Sequence, residues 1–133
     1  MRSAFDDTIG RELRRAGFEA RLDRVAFVGV SQGAIIALDA VASGRWPVGA
    51  LVTFAGLLPP IPIFAGANTT DVLLKHGSED QTIPPRETLR AAQQLHAAGF
   101  KVESDVLAGV GHTVTSEGLE LARQFLERKF TEQ

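Results

Sequence analysis

Residues 25–34 read Val25-Ala26-Phe27-Val28-Gly29-Val30-Ser31-Gln32-Gly33-Ala34. An apolar, strand-like segment runs into Gly29-Val30-Ser31-Gln32-Gly33 and out into an Ala-rich, helix-forming one. Gly-x-Ser-x-Gly between a strand and a helix is the pattern of a nucleophile elbow, a sharp turn that lifts a serine hydroxyl to its tip. Gly29 and Gly33 lack the side chains that would collide where strand and helix meet. The N-terminus of the following helix directs backbone N–H groups toward negative charge forming beside it. A serine held this way is placed to attack a carbonyl carbon. The bland alternative is a glycine-eased turn with an incidental serine, and the residues downstream argue against it.

Upstream of this stretch, residues 4–20 read as an amphipathic helix with Phe5, Ile9, Leu13 and Ala16 near one face; Gly17 ends its regular part. Residues 25–30 form a short, nearly all-apolar strand, which predicts burial on both faces. The helix at residues 32–42 has almost no polar face and should pack deeply. Ser43-Gly44 stops it, and residues 50–54 form a second buried strand. Residues 55–70 are apolar, proline-rich and irregular, a loop that either covers core or lines a pocket. A third strand spans residues 71–76, followed through Ile83-Pro84-Pro85 by a helix over residues 86–98 that Gly99 stops. Residues 101–107 alternate, with Val102, Ser104 and Val106 on one side, as expected of a strand near a sheet edge. After the loop Gly109-Val110-Gly111-His112, Thr115 or Ser116 caps a last helix through Phe130, whose apolar face is Leu119, Ala122, Phe125 and Leu126.

This is a helix followed by four strands, with helices after the first, third and fourth. Such alternation predicts an α/β fold of about four parallel strands with right-handed crossovers and helices on both faces. The 133 residues suit a single domain over residues 1–133, long enough to bury a core. A net charge of -2 gives no electrostatic reason to expect nucleic acid or an anionic membrane as partner. The apolar runs are too short to span a bilayer, and residues 1–7 hold no apolar signal core, so the cytoplasm is the expected compartment. With no cysteine, disulfides and thiolate metal sites are excluded. Three scattered histidines lack any metal-ligand spacing, so neither a metal nor a cofactor is expected.

In a parallel sheet of this kind ligands bind beyond the carboxyl ends of the strands. Ser31 follows the first strand, Asp80 the third and His112 the fourth. A serine hydroxyl is a poor nucleophile until a base takes its proton. Imidazole does so near neutral pH, and a carboxylate fixes its tautomer. Ser, Asp, His is also the chain order described for α/β-hydrolases. Glu79 adjoins Asp80 and could serve as the acid instead. His76, at a strand end beside Gly77, reads as structural, and His96 as part of a solvated helix face.

Three stretches carry a family resemblance: Gly29-Val30-Ser31-Gln32-Gly33-Ala34; His76-Gly77 through Asp80 with Ile83-Pro84; and Gly111-His112 with Glu117-Gly118-Leu119. Together they resemble the α/β-hydrolases of the phospholipase/carboxylesterase type, close to acyl-protein thioesterases and dienelactone-hydrolase-like esterases. The resemblance covers nearly the whole chain, as the C-terminal half or more of such a hydrolase. It implies Ser31 as nucleophile, Asp80 rather than Glu79 as acid, His112 as base and the Gln32 backbone N–H as one oxyanion donor. Dienelactone hydrolases proper use a cysteine nucleophile, and its absence here favours the serine esterases.

The expected activity is hydrolysis of small carboxylic esters or thioesters through an acyl-enzyme on Ser31, with Leu57 and Leu58 in the wall of the acyl pocket. Family members also carry several strands before the elbow, with a His-Gly-type loop that supplies a second oxyanion N–H. No such motif precedes Ser31, so a truncated α/β-hydrolase is expected. Loss of one donor can cost about a hundredfold or more in rate. The alternative is therefore a non-catalytic hydrolase fragment or interaction module. An elbow strand without its neighbours would present a bare, hydrophobic edge, from which a homodimer is expected.

Overall fold

The computed structural model describes residues 2–64 and 69–131. Residues 65–68, inside the irregular loop expected at 55–70, lie outside the described residues. Helix α1 (Arg2–Ala16) leads into a single 3-10 turn (Leu22–Arg24) and strand β1 (Ala26–Val30). There follow α2 (Gln32–Ala42), β2 (Ala50–Phe54), β3 (Asp71–Gly77), α3 (Arg86–Ala97), β4 (Lys101–Leu107) and α4 (Ser116–Thr131). The strands form one parallel sheet in the order β1-β2-β3-β4. Sequence neighbours are thus spatial neighbours, and every strand delivers its carboxyl end to the same side.

Alternation along the strands sorts the core into two layers. Phe27, Leu51, Val72 and Leu74 point to one face, where Ala37, Leu38 and Val41 of α2 and Ala91 and Leu95 of α3 cover them. Ala50, Val52, Phe54 and Leu73 point to the other and meet Ala122 and Phe125 of α4. Every residue of β2 is buried, as its apolar run predicts. In β3 the same run is interrupted by Lys75, whose buried ammonium pairs with Asp105 across to β4. That pairing satisfies a charge which would otherwise be costly to bury.

Strand β1 lies at the edge of the sheet, as expected of an elbow strand without its neighbours, but it is not buried on both faces: Val28 and Val30 are 55% and 47% exposed. The residues are apolar enough for a central strand, but the buried cluster under α4 is built on β2 and β3 and nothing among the described residues lies outside β1. Helix α1 runs from Arg2 to Ala16 rather than from 4 to 20, and Gly17 ends it at φ +82°. Phe5 and Ile9 pack on the core while Ala16 is exposed. Charge secures the rest of its docking. Asp6 accepts two hydrogen bonds from Arg45 (3.0 and 2.9 Å) and one from the Trp46 indole (2.7 Å), and Arg2 forks onto Asp39 of α2. On α4, Leu119 is 54% exposed instead of joining the apolar face. The Thr115 hydroxyl caps this helix, accepting the Gly118 N–H at 3.0 Å.

Candidate active site

Ser31 sits between β1 and α2 with φ 55° and ψ −115°, a backbone conformation that a residue with a side chain rarely adopts. Two hydrogen bonds hold it there. The Ser31 N–H donates to the Phe54 carbonyl at the end of β2 (2.9 Å), and the Ile35 N–H closes the first turn of α2 onto the Ser31 carbonyl (3.1 Å). Gly29 is required by the bend, because a Cβ there would stand 2.6 Å from the Gly33 carbonyl oxygen and 2.7 Å from the Ala34 nitrogen. Gln32 opens α2, so its N–H has no acceptor within the helix.

A carboxylate comes from the turn after β3. Asp80 is buried, and its Oδ1 accepts the N–H groups of Thr82 and Ile83, both at 2.9 Å. This side-chain-to-backbone turn leaves Oδ2 facing the loop after β4. There His112 Nδ1 lies 2.8 Å away, and the other ring nitrogen, Nε2, lies 2.8 Å from Ser31 Oγ. A carboxylate can only accept, so Nδ1 carries the proton and the neutral ring offers Nε2 to the serine hydroxyl. Burial pushes the Asp80 carboxyl up, but the hydrogen bonds from His112, Ile83 and Thr82 outweigh it and hold it below the usual carboxylate range. Glu79 is exposed and its side chain takes no part. Its main-chain N–H instead donates to the Val110 carbonyl at 2.8 Å.

The loops that carry Asp80 and His112 are stapled to each other. The Ser78 N–H donates to Leu107 O (2.9 Å) and the Gly109 N–H to Ser78 Oγ (2.9 Å). The crossing is close enough that a Cβ on Gly77 would clash with the carbonyl oxygens of Val110 and Gly111. None of these staples has a sequence signal beyond the glycine at 77. His76, read from the sequence as structural, is buried between Thr88 Oγ1 and the Ile83 carbonyl (2.7 Å each), and its Nε2 also approaches Asp80 Oδ2 to 3.1 Å. His96 is exposed on α3.

After β2 the chain turns back over the elbow. Ala55 takes φ 58°, and a Cβ on Gly56 would stand 2.6 Å from that of Ala34 in α2. Leu57, next in line, is half-buried. Leu58 is different: at 1% exposure it belongs to the core cluster under α2, so its side chain is not a surface that a substrate could touch.

The family model of the phospholipase/carboxylesterases matches residues 2–130. Among curated relatives, the esterase YpfH of Escherichia coli is 28% identical over 122 residues, covering 92% of this chain and 51% of its own. Acyl-protein thioesterase 1 of Gibberella zeae is 27% identical over 118 residues, covering 80% and 48%. The chain thus spans about half the length of the curated relatives it matches. The crystal structure of SOBER1 from Arabidopsis thaliana superposes with a TM-score of 0.78 at 21% identity, over 96% of this chain and 62% of that one, a likeness of fold. The elbow, the parallel sheet and the match along nearly its whole length make this chain a member of the phospholipase/carboxylesterase family.

Proposed function

We propose that this chain is a cofactor-independent serine hydrolase acting on carboxylic esters or thioesters through an acyl-enzyme on Ser31. The observation that carries the reading is the continuous chain Ser31 Oγ, His112 Nε2, His112 Nδ1, Asp80 Oδ2, each contact 2.8 Å. His112 takes the serine proton as Oγ bonds to the acyl carbon. The carbonyl electrons move onto oxygen, where the Gln32 N–H at the positive end of α2 stabilises them. When the carbon–oxygen or carbon–sulfur bond breaks, the imidazolium returns its proton to the leaving alcohol or thiol. Water, deprotonated by the same ring, then releases the acid and regenerates Ser31. Asp80 holds the ring in the required tautomer and stabilises the imidazolium. Leu57, carried over the elbow by the chain after β2, is the proposed acyl-side wall, with Leu58 anchoring it from the core.

The edge of β1 that no described residue covers, the exposed Val28 and Val30, and a groove of about 290 Å³ between Phe5, Ile9, Val28, Gly33 and Ile36 support a homodimer in solution. The cytoplasm remains the proposed compartment. The test of activity is fluorophosphonate labelling together with hydrolysis of short p-nitrophenyl esters. Wild type is expected to be labelled and to turn over, and Ser31→Ala to do neither. A folded wild type that takes no label would instead favour the non-catalytic module.

A further inference from the structure

The Asp80 carboxylate meets two imidazoles, and only one of them touches the serine. His76 is the penultimate residue of β3, and its ring is fully buried. Its Nε2 lies 2.7 Å from the Ile83 carbonyl oxygen and 3.1 Å from Asp80 Oδ2. Both neighbours can only accept, so Nε2 must carry a proton. Its Nδ1 lies 2.7 Å from the hydroxyl of Thr88, near the start of α3, which fixes the ring about its own axis. The Nε2 proton is thus directed to the main-chain carbonyl at the far end of the turn from Asp80 to Ile83, while the same ring edge packs against the carboxylate at its near end. The Oδ1 atom is already committed to the Thr82 and Ile83 N–H groups. What remains to be set is where Oδ2 stands relative to His112, and His76 is the buried side chain that abuts it.

We infer that His76 is a positioning residue, acting through Asp80 to hold Oδ2 at hydrogen-bonding distance from His112 Nδ1. The inference rests on the hydrolase reading for its kinetic consequence, but its geometric content does not depend on turnover. It also explains why a polar ring stands fully buried near the end of β3. A leucine there would fill the space but leave the Ile83 carbonyl buried without its donor, and such a group is costly.

The test uses three variants of the whole chain. Gln carries an N–H at nearly the same distance from the backbone as His Nε2, so His76→Gln preserves the donor, whereas His76→Leu removes it. Thr88→Val frees the ring without touching Asp80. The downfield proton resonance of His112 Nδ1–H, assigned by its loss in His112→Ala, reports the Asp80 contact directly. In His76→Leu it is expected to shift upfield or broaden away, with kcat lowered by about tenfold to a hundredfold and KM little changed, since misplacement by about 1 Å costs that order. His76→Gln should restore the resonance and most of kcat, with Thr88→Val intermediate. If His76→Leu fails to fold, the Gln and Val variants carry the test. A folded His76→Leu with an unmoved resonance and wild-type kcat overturns the inference, as does His76→Gln behaving no better than His76→Leu, or Thr88→Val leaving both readouts at wild type when His76→Leu cannot be measured. Failure of the hydrolase reading would show differently, as a wild type without turnover whose His112 resonance still responds to His76.

Discussion

Replacing Asp80 by asparagine changes one atom, and the structure dictates where that atom goes. The position of Oδ1 faces two main-chain N–H groups at 2.9 Å. An amide nitrogen there would set donor against donor twice, at about 1–3 kcal/mol for each buried group left unsatisfied. The amide oxygen therefore takes that position and the NH2 replaces Oδ2. It then faces His112 Nδ1 at 2.8 Å, beside a His76 ring whose Nε2 proton is directed away to the Ile83 carbonyl. To accept from it, His112 must shift its proton from Nδ1 to Nε2, the nitrogen that faces Ser31 Oγ. The base becomes a donor and the serine keeps its proton. The expected loss is about 10⁴-fold in kcat, roughly 5.4 kcal/mol at 1.36 kcal/mol per tenfold. KM should change little, because Asp80 is buried. The assay is steady-state hydrolysis of a p-nitrophenyl ester at neutral pH, with circular dichroism to establish that Asp80→Asn is folded and Glu79→Gln as the control that stays near wild type. A folded Asp80→Asn retaining more than about a tenth of wild-type kcat would refute the tautomer argument.

Gly77→Ala should lower kcat by up to about a hundredfold, because its Cβ would displace the Val110 and Gly111 carbonyls and with them His112; unchanged kinetics would mean the loop yields without moving the base. Asp80 has a folded pKa below its unfolded one, so its contribution to stability is complete above the unfolded value near 3.9 and is lost as pH falls through the folded value. Urea midpoints measured from about pH 5 down to about pH 2 should therefore fall less for Asp80→Asn than for wild type, and parallel curves would exclude this linkage. Val28→Lys puts a charge on the exposed edge strand and should shift the sedimenting species from dimer to the 14.3 kDa of one chain; a wild type that already sediments at that mass removes the dimer from the proposal.

What could be read from the sequence divides along a physical line. The bounds of α2, β2 and β4 are legible to the residue, because each is framed by local chemistry: the glycines of the elbow, Ser43-Gly44, and the strict alternation of residues 101–107. Ser31, Asp80 and His112 are legible as candidates because a parallel sheet carries its strand ends to one side. The choice between Asp80 and Glu79 is not legible from local pattern alone. It depends on which carboxylate can fold back onto its own turn, and Asp80 does so through the N–H groups two and three residues on. The contact of His76 with Asp80 is less legible still, since it needs a ring from β3, a hydroxyl from α3 and a carbonyl from the loop between them. The apolar run of the loop points to Leu58 as a pocket residue, yet it lies in the core, because apolarity alone cannot say which side of a loop faces inward.

The two glycines of the elbow make the same point most sharply. They occupy equivalent places in Gly-x-Ser-x-Gly, and the sequence treats them alike. Gly29 is demanded locally: a Cβ there would strike the backbone of Gly33 and Ala34. At Gly33 a Cβ would meet nothing within 4 Å, and the residue opens instead onto the groove beside Phe5, Val28 and Ile36. No requirement within the described residues explains that glycine. If a second chain pairs with the edge of β1, Gly33 is where its backbone could approach α2 most closely, and a Cβ would stand in the way. Gly33→Leu should then leave the fold of one chain intact and weaken the dimer, seen as a rise in its dissociation constant by sedimentation. A Gly33→Leu protein that unfolds on its own, or that dimerises as tightly as wild type, would show that this glycine does not serve the edge.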